Sequence, residues 1–150
     1  MKTRLPPPVV LLIAGAGVWI IDRIFPALRI DREGQAAIAI MVALIAVGIM
    51  LAAAVWFFRY QTTVNPLSPE RASRLITQGP FALSRNPIYL ADALLLVAWM
   101  VWVGNPAGII MLPAFVLYLT HYQIRPEEQA LASRFGEEYR AYCRRTRRWI

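Results

Sequence analysis

The 150-residue chain has one cysteine and one histidine, and 9 acidic residues against 16 basic ones. A single thiol, Cys143, closes no internal disulfide, and on the side of the membrane assigned to it below it reads as incidental. His121 has no Cys/His cluster around it, so no metal site is expected. Internal repeats and low-complexity tracts are also missing. The most informative absence is that of charge: residues 9–21, 36–58, 88–103 and 107–122 carry one acidic side chain, Asp92, and no Lys or Arg. A soluble helical core interleaves charged positions at helical spacing, and these runs do not. Together with a hydrophobic fraction of 58%, against roughly 45–50% in soluble domains, this excludes a soluble fold. Runs apolar on every face suit lipid as solvent.

What is present gives the architecture. Residues 36–58 form 23 uncharged positions, and about 20 cross the hydrocarbon core. The first run is extended by Leu5 and the Pro6-Pro7-Pro8 triplet and ends in Ile21-Asp22-Arg23 without a small-residue cleavage site. It reads as a retained helix rather than a removed signal. The third and fourth runs are separated by Gly104-Asn105-Pro106, which forces an antiparallel hairpin. The expectation is an all-α polytopic membrane bundle forming one domain. Four transmembrane helices are expected at about 6–22, 36–58, 88–103 and 106–122, with a loop at 59–87 and a C-terminal amphipathic helix at 126–146.

Four spans put the N-terminus, the 59–87 loop and the C-terminal tail on one side, and that side carries 13 of the 16 basic residues. Only Arg23, Arg29 and Arg32 fall on the other. The positive-inside rule then places both termini in the cytoplasm of a multi-pass inner-membrane protein. The net charge of +7 is accounted for by juxtamembrane arginines meeting anionic headgroups, so membrane lipids rather than nucleic acid are the expected partners.

Polar residues gather in two places. Prolines 66, 69, 80 and 87 break any continuous helix across the loop. A connection that long in so small a chain calls for a role. Its groups are Thr62-Thr63-Val64-Asn65-Pro66, Ser68-Pro69-Glu70 and Thr77-Gln78-Gly79-Pro80-Phe81. In the tail, Pro126-Glu127-Glu128 opens a helix whose Leu131, Phe135, Tyr139 and Tyr142 share one face, with Arg134, Glu137, Arg140 and Arg144 opposite. Gly136 inside it points to close packing or a break. Asp92, one turn past Tyr89, is either a functional intramembrane carboxylate or a group reaching headgroup water.

Gly79-Pro80-Phe81, Arg85-Asn86-Pro87-Ile88-Tyr89, Glu127-Glu128-Gln129-Ala130-Leu131 and Phe135-Gly136-Glu137-Glu138-Tyr139 with Tyr142, in that order, resemble the isoprenylcysteine carboxyl methyltransferase family. That family is related to the membrane phospholipid methyltransferases, and the resemblance covers about residues 62–149. It implies S-adenosylmethionine as methyl donor and a lipophilic acceptor arriving from the membrane. It also implies a donor pocket drawn from Gln78, Gly79, Pro80, Phe81, Arg85, Asn86, Tyr89, His121, Glu127, Glu128, Tyr139 and Tyr142. Arg148 and Glu128 are implied next to the chemistry, with Arg147 or Arg148 matching the family's basic end. Gly15-Ala16-Gly17 lies in an apolar helix without a third glycine, so a Rossmann-type donor site is not expected. Asn86 stands where better-studied members often carry His, and asparagine does not titrate near neutrality. A phospholipid N-methyltransferase and a non-catalytic membrane scaffold are the alternatives.

Overall fold

In the computed structural model, residues 5–60 and 74–150 are described. Lys2, Arg4, Arg71 and the polar groups between Thr62 and Glu70 lie outside the described residues. All regular structure among the described residues is helical: α1 (Pro7–Ile24), α2 (Gln35–Tyr60), the single turn α3 (Pro80–Leu83), α4 (Pro87–Val103), α5 (Met111–Leu119) and α6 (Arg125–Arg145). The molecule is a membrane helical bundle. The helical runs that include α1, α2 and α5 are long and apolar enough to cross a bilayer. The 17-residue α4 is near the lower limit of about 17.

α4 is the hub. It packs antiparallel to α2 on one side and against α1 on the other, while α1 also meets α5. Lipid supplies no hydrophobic drive between helices, so close approach of small residues has to supply it. Ala39, Ala46 and Ala53 are the buried residues of α2, one every seven positions, and Ala91 and Ala98 are buried in α4 at the same spacing. On the other side, Val10, Ala14 and Val18 of α1 join Tyr89, Leu96, Phe115, Leu119 and Ile124 in one apolar cluster. Trp99 Nε1 pins the crossing by donating to the carbonyl of Gly15 at 3.0 Å.

Each end of the bundle is tied by polar contacts. At one end Asn105 Nδ2 donates to Asp22 Oδ1 at 3.1 Å and to the Phe25 carbonyl at 2.9 Å, while its Oδ1 caps Ala107 N. Gly104 ends α4 in the left-handed region at φ 75°, and a Cβ there would lie 2.7 Å from the Ile30 carbonyl oxygen. Arg23, Arg29 and Arg32 lie at this end, and the start of α1, the end of α2, α3, α6 and the C-terminus gather at the other.

α5 does not stop before α6. A 3₁₀ stretch (Pro106–Ile110) leads into α5, and a π turn (Thr120–Ile124) carries the chain directly into α6, so the expected gap before Pro126 is absent. Pro126 sits in the first turn of α6, where the π turn absorbs its missing N–H. The break comes later, at Gly136 (φ 52°, ψ −120°), where a Cβ would meet nothing within 4 Å. Backbone conformation, not close packing, therefore accounts for this glycine.

Gly104→Ala is expected to destabilise the fold by about 2 kcal/mol or more, combining the left-handed penalty with the clash at Ile30. Gly48→Ala, in open space inside α2, is expected to be neutral or to stabilise by up to about 1 kcal/mol. Thermal unfolding followed by circular dichroism in detergent checks both, and equal shifts would contradict this account of the turn.

Candidate functional site

The mouth of the bundle is built where α3 and the start of α4 meet α6 and the C-terminal segment. Tyr142 OH donates to the Phe81 carbonyl at 2.6 Å, and Arg85 N donates to the Arg147 carbonyl at 3.0 Å. The Arg148 carbonyl accepts from Ser84 Oγ at 3.3 Å and from Asn86 Nδ2 at 3.0 Å. Trp149 Nε1 reaches Thr120 Oγ1 at 3.3 Å, so the last residues are fastened to the π turn as well. These bonds hold the two arginine backbones before any side chain acts.

At the centre lies Glu128. Arg148 grips it bidentately, Nε to Oε1 at 3.0 Å and Nη2 to Oε2 at 2.7 Å, and Arg85 Nη1 stands 3.3 Å from Oε1. The Glu128 and Arg85 side chains are each 14% exposed. Charge-assisted forks of this kind fix orientation as well as adding energy. The ion pair holds the Arg148 guanidinium above its ordinary pKa, so Arg148 stays charged. Arg85 Nη1 also donates to Cys143 Sγ at 2.6 Å, while Arg85 Nε is enclosed and has no partner among the described residues. Beside this cluster Tyr89 OH donates to Glu127 Oε1 at 2.6 Å.

Burial pushes the phenols of Tyr139 and Tyr142 up, and the Glu128 carboxylate adds to the effect at Tyr139. Both are neutral phenols at physiological pH. On the outer face, hydrogen bonds from Arg144 and then Arg140 hold the exposed Glu137 carboxyl below its ordinary value. That contribution is present above the ordinary carboxylate range and is lost as pH falls through the lowered value.

Of the residues proposed from sequence, Arg85, Asn86, Tyr89, Glu127, Glu128, Tyr139, Tyr142 and Arg148 are brought together here. The turn at Gln78, Gly79, Pro80 and Phe81 braces the mouth against α2. Gln78 Oε1 accepts from Tyr60 OH at 3.1 Å, Phe81 meets Phe57 edge-on at 5.3 Å, and a Cβ on Gly79 would strike Trp56. His121 is not brought in: it is exposed on the π turn, its ring against Tyr122, and it shares none of the cluster's hydrogen bonds. Arg147 contributes its carbonyl while its side chain faces outward. Sequence reasoning missed Ser84 and Cys143. Cys143 stands one turn beyond Tyr139 on the same face, a spacing that could have found it.

The profile of the phospholipid methyltransferase family matches residues 35–138. The chain belongs to this family. The matched segment runs from the start of α2 past the kink in α6, and so includes α3, α4 and the first part of α6. An uncharacterized protein from Haemophilus influenzae is 41% identical over 63 residues, 42% of this chain and 100% of that protein. A Delta(14)-sterol reductase from Mus musculus is 35% identical over 78 residues, which are 48% of this chain but 18% of the reductase. No solved structure matches. The match covers Arg85, Tyr89, Glu127 and Glu128 and leaves Tyr139, Tyr142, Cys143 and Arg148, the residue that grips Glu128, beyond it.

Glu128→Gln leaves two arginines facing a neutral amide and is expected to cost about 3 kcal/mol of stability, the usual penalty for orphaning a buried charge. Glu137→Gln, on the exposed face, should shift the unfolding midpoint far less. Chemical denaturation in mild detergent checks the pair; equal effects would mean that the clasp is not held as described.

Proposed function

We propose that the chain is an S-adenosylmethionine-dependent methyltransferase of the membrane, acting on a lipophilic acceptor. The observation that carries this reading is the clasp of Glu128 between Arg85 and Arg148 beside Tyr89–Glu127, at one end of an apolar bundle. A soluble, charged donor and a membrane-borne acceptor have to meet at such a boundary.

The residues fit the donor chemically. Its carboxylate calls for a guanidinium, and the enclosed, unpartnered Arg85 Nε is an unspent N–H donor. Its ammonium and ribose hydroxyls call for a carboxylate, supplied by Glu127 beside Tyr89. Glu128 already faces two arginines, so its role is to orient Arg85 and Arg148 rather than to act as a free anion. Asn86 spends its amide on the Arg148 carbonyl, which makes it a positioning residue. Methyl transfer is an in-line displacement: the acceptor's lone pair forms the new bond to carbon as the carbon–sulfur bond breaks, and the sulfonium becomes a neutral thioether. What a protein supplies to such a step is chiefly alignment of the reactants. The arginines at the mouth, ten of the thirteen at the two ends among the described residues, support a cytoplasmic position for it by the positive-inside rule.

The family match favours one particular acceptor class as a second reading, a phospholipid amine. One experiment addresses both. The detergent-purified protein is titrated with S-adenosylmethionine by calorimetry, then incubated with methyl-labelled donor and membrane extract. Donor binding with label in a lipid fraction is the expected result, and amine-bearing phospholipid as the labelled product would select the second reading. Arg85→Gln is expected to weaken donor binding about tenfold or more; a folded variant with unchanged affinity would remove Arg85 from the site. No donor binding by the native chain would leave a scaffold protein.

A further inference from the structure

Asp92 lies on α4 one turn below Tyr89, on the face turned towards α1, and is 6% exposed. No hydrogen bond or ion pair to it is found among the described residues. Its carboxylate is nevertheless not sealed, since the only fully enclosed side-chain nitrogen or oxygen without a partner among the described residues is Arg85 Nε. A carboxylate held in a membrane span without a partner is costly, and such groups mark sites.

Directly below it, one further turn down α4, opens a groove between α1 and α4 of about 580 Å³. Leu11, Gly15, Ala16 and Trp19 line one wall, with Leu96 and Trp99 on the other. The size and apolar lining match small-molecule sites, which pair such walls with a few placed polar groups. The groove has no polar side chain apart from the indoles. Asp92 stands outside this lining, one helical turn along α4 from Leu95 and Leu96 towards the mouth, and Tyr89, bonded to Glu127, follows one turn later.

We propose that this groove holds the hydrocarbon chain of the methyl acceptor, with Asp92 accepting a hydrogen bond from an N–H or O–H on its head. The inference rests on the methyltransferase reading and adds the acceptor's position to it. The chain lies along α1 at the depth of Gly15, and the head stands between Asp92 and Tyr89, just beneath the Arg85–Glu128 clasp. An acid head meets repulsion at Asp92 and an amine or alcohol does not, so the groove discriminates by charge as well as by chain. The absence of a side chain at Gly15 and the small one at Ala16 keep the space open; a Cβ at Gly15 would stand 3.8 Å from Trp99.

Photo-crosslinking of the full chain in detergent tests this, using a long-chain amine with a diazirine at its tail and the matching fatty acid. The amine is expected to label residues 11–19 and 95–99. Ala16→Phe, which fills the groove, should lower that labelling about tenfold, and Asp92→Asn should bring amine and acid labelling to the same level. Calorimetry on the same preparations should show S-adenosylmethionine affinity unchanged in both variants. Labelling insensitive to both substitutions, or spread equally over the lipid face of α2, overturns the groove as acceptor site and identifies it as a place where bulk lipid rests. With donor binding intact, that outcome leaves the methyltransferase reading standing. A native chain without donor affinity overturns that reading and the acceptor role together.

Discussion

The carboxylate of Glu128 lies between two guanidinium groups far apart in the sequence, Arg85 at the entry to α4 and Arg148 in the C-terminal segment beyond α6. A charge trio of this kind is worth its desolvation only if the geometry is held from outside. Here the backbone holds it: the Arg148 carbonyl takes hydrogen bonds from Ser84 and Asn86, and the Arg147 carbonyl takes one from the backbone of Arg85. The helices of the bundle place the ends that make those bonds. The mouth thus depends on the clasp, and the clasp depends on the bundle.

The bundle uses two kinds of helix packing for two purposes. The alanine seam between α2 and α4 brings backbones close and makes a rigid wall. The crossing of α1 and α4 is looser, pinned by one indole hydrogen bond and leaving the apolar groove. Under the proposed methyltransferase reading that asymmetry has a use: one flank stays closed to support the charged clasp, and the other admits a chain from the membrane.

The residues of the candidate site were legible in unequal measure. Arg85, Tyr89, Glu127 and Glu128 stood out because polar groups next to apolar runs are conspicuous. Gln78 through Phe81 were picked out through the family resemblance, and in the structure they brace α3 on Trp56 and Phe57 of α2. A proline-bounded turn has the same residues whether it cradles a ligand or a helix. His121 drew notice as the one histidine of the chain, and it is exposed on the π turn. That turn inserts one residue into the helical register, which spacing alone does not reveal.

The class of this protein was decided by composition, because long uncharged runs have no soluble structure to enter, and a three-residue link allows only a hairpin. The helix limits follow from Pro at the starts and Gly at the end of α4, since those residues act on the backbone locally. Which polar groups meet was decided only by the tertiary structure. Arg148 reaches Glu128 across 20 positions and Tyr89 reaches Glu127 across 38. Those distances close through helix crossings that depend on the summed packing of many weak apolar contacts. The groove below Asp92 belongs to the same category: it is space left between α1 and α4, and no single residue encodes it.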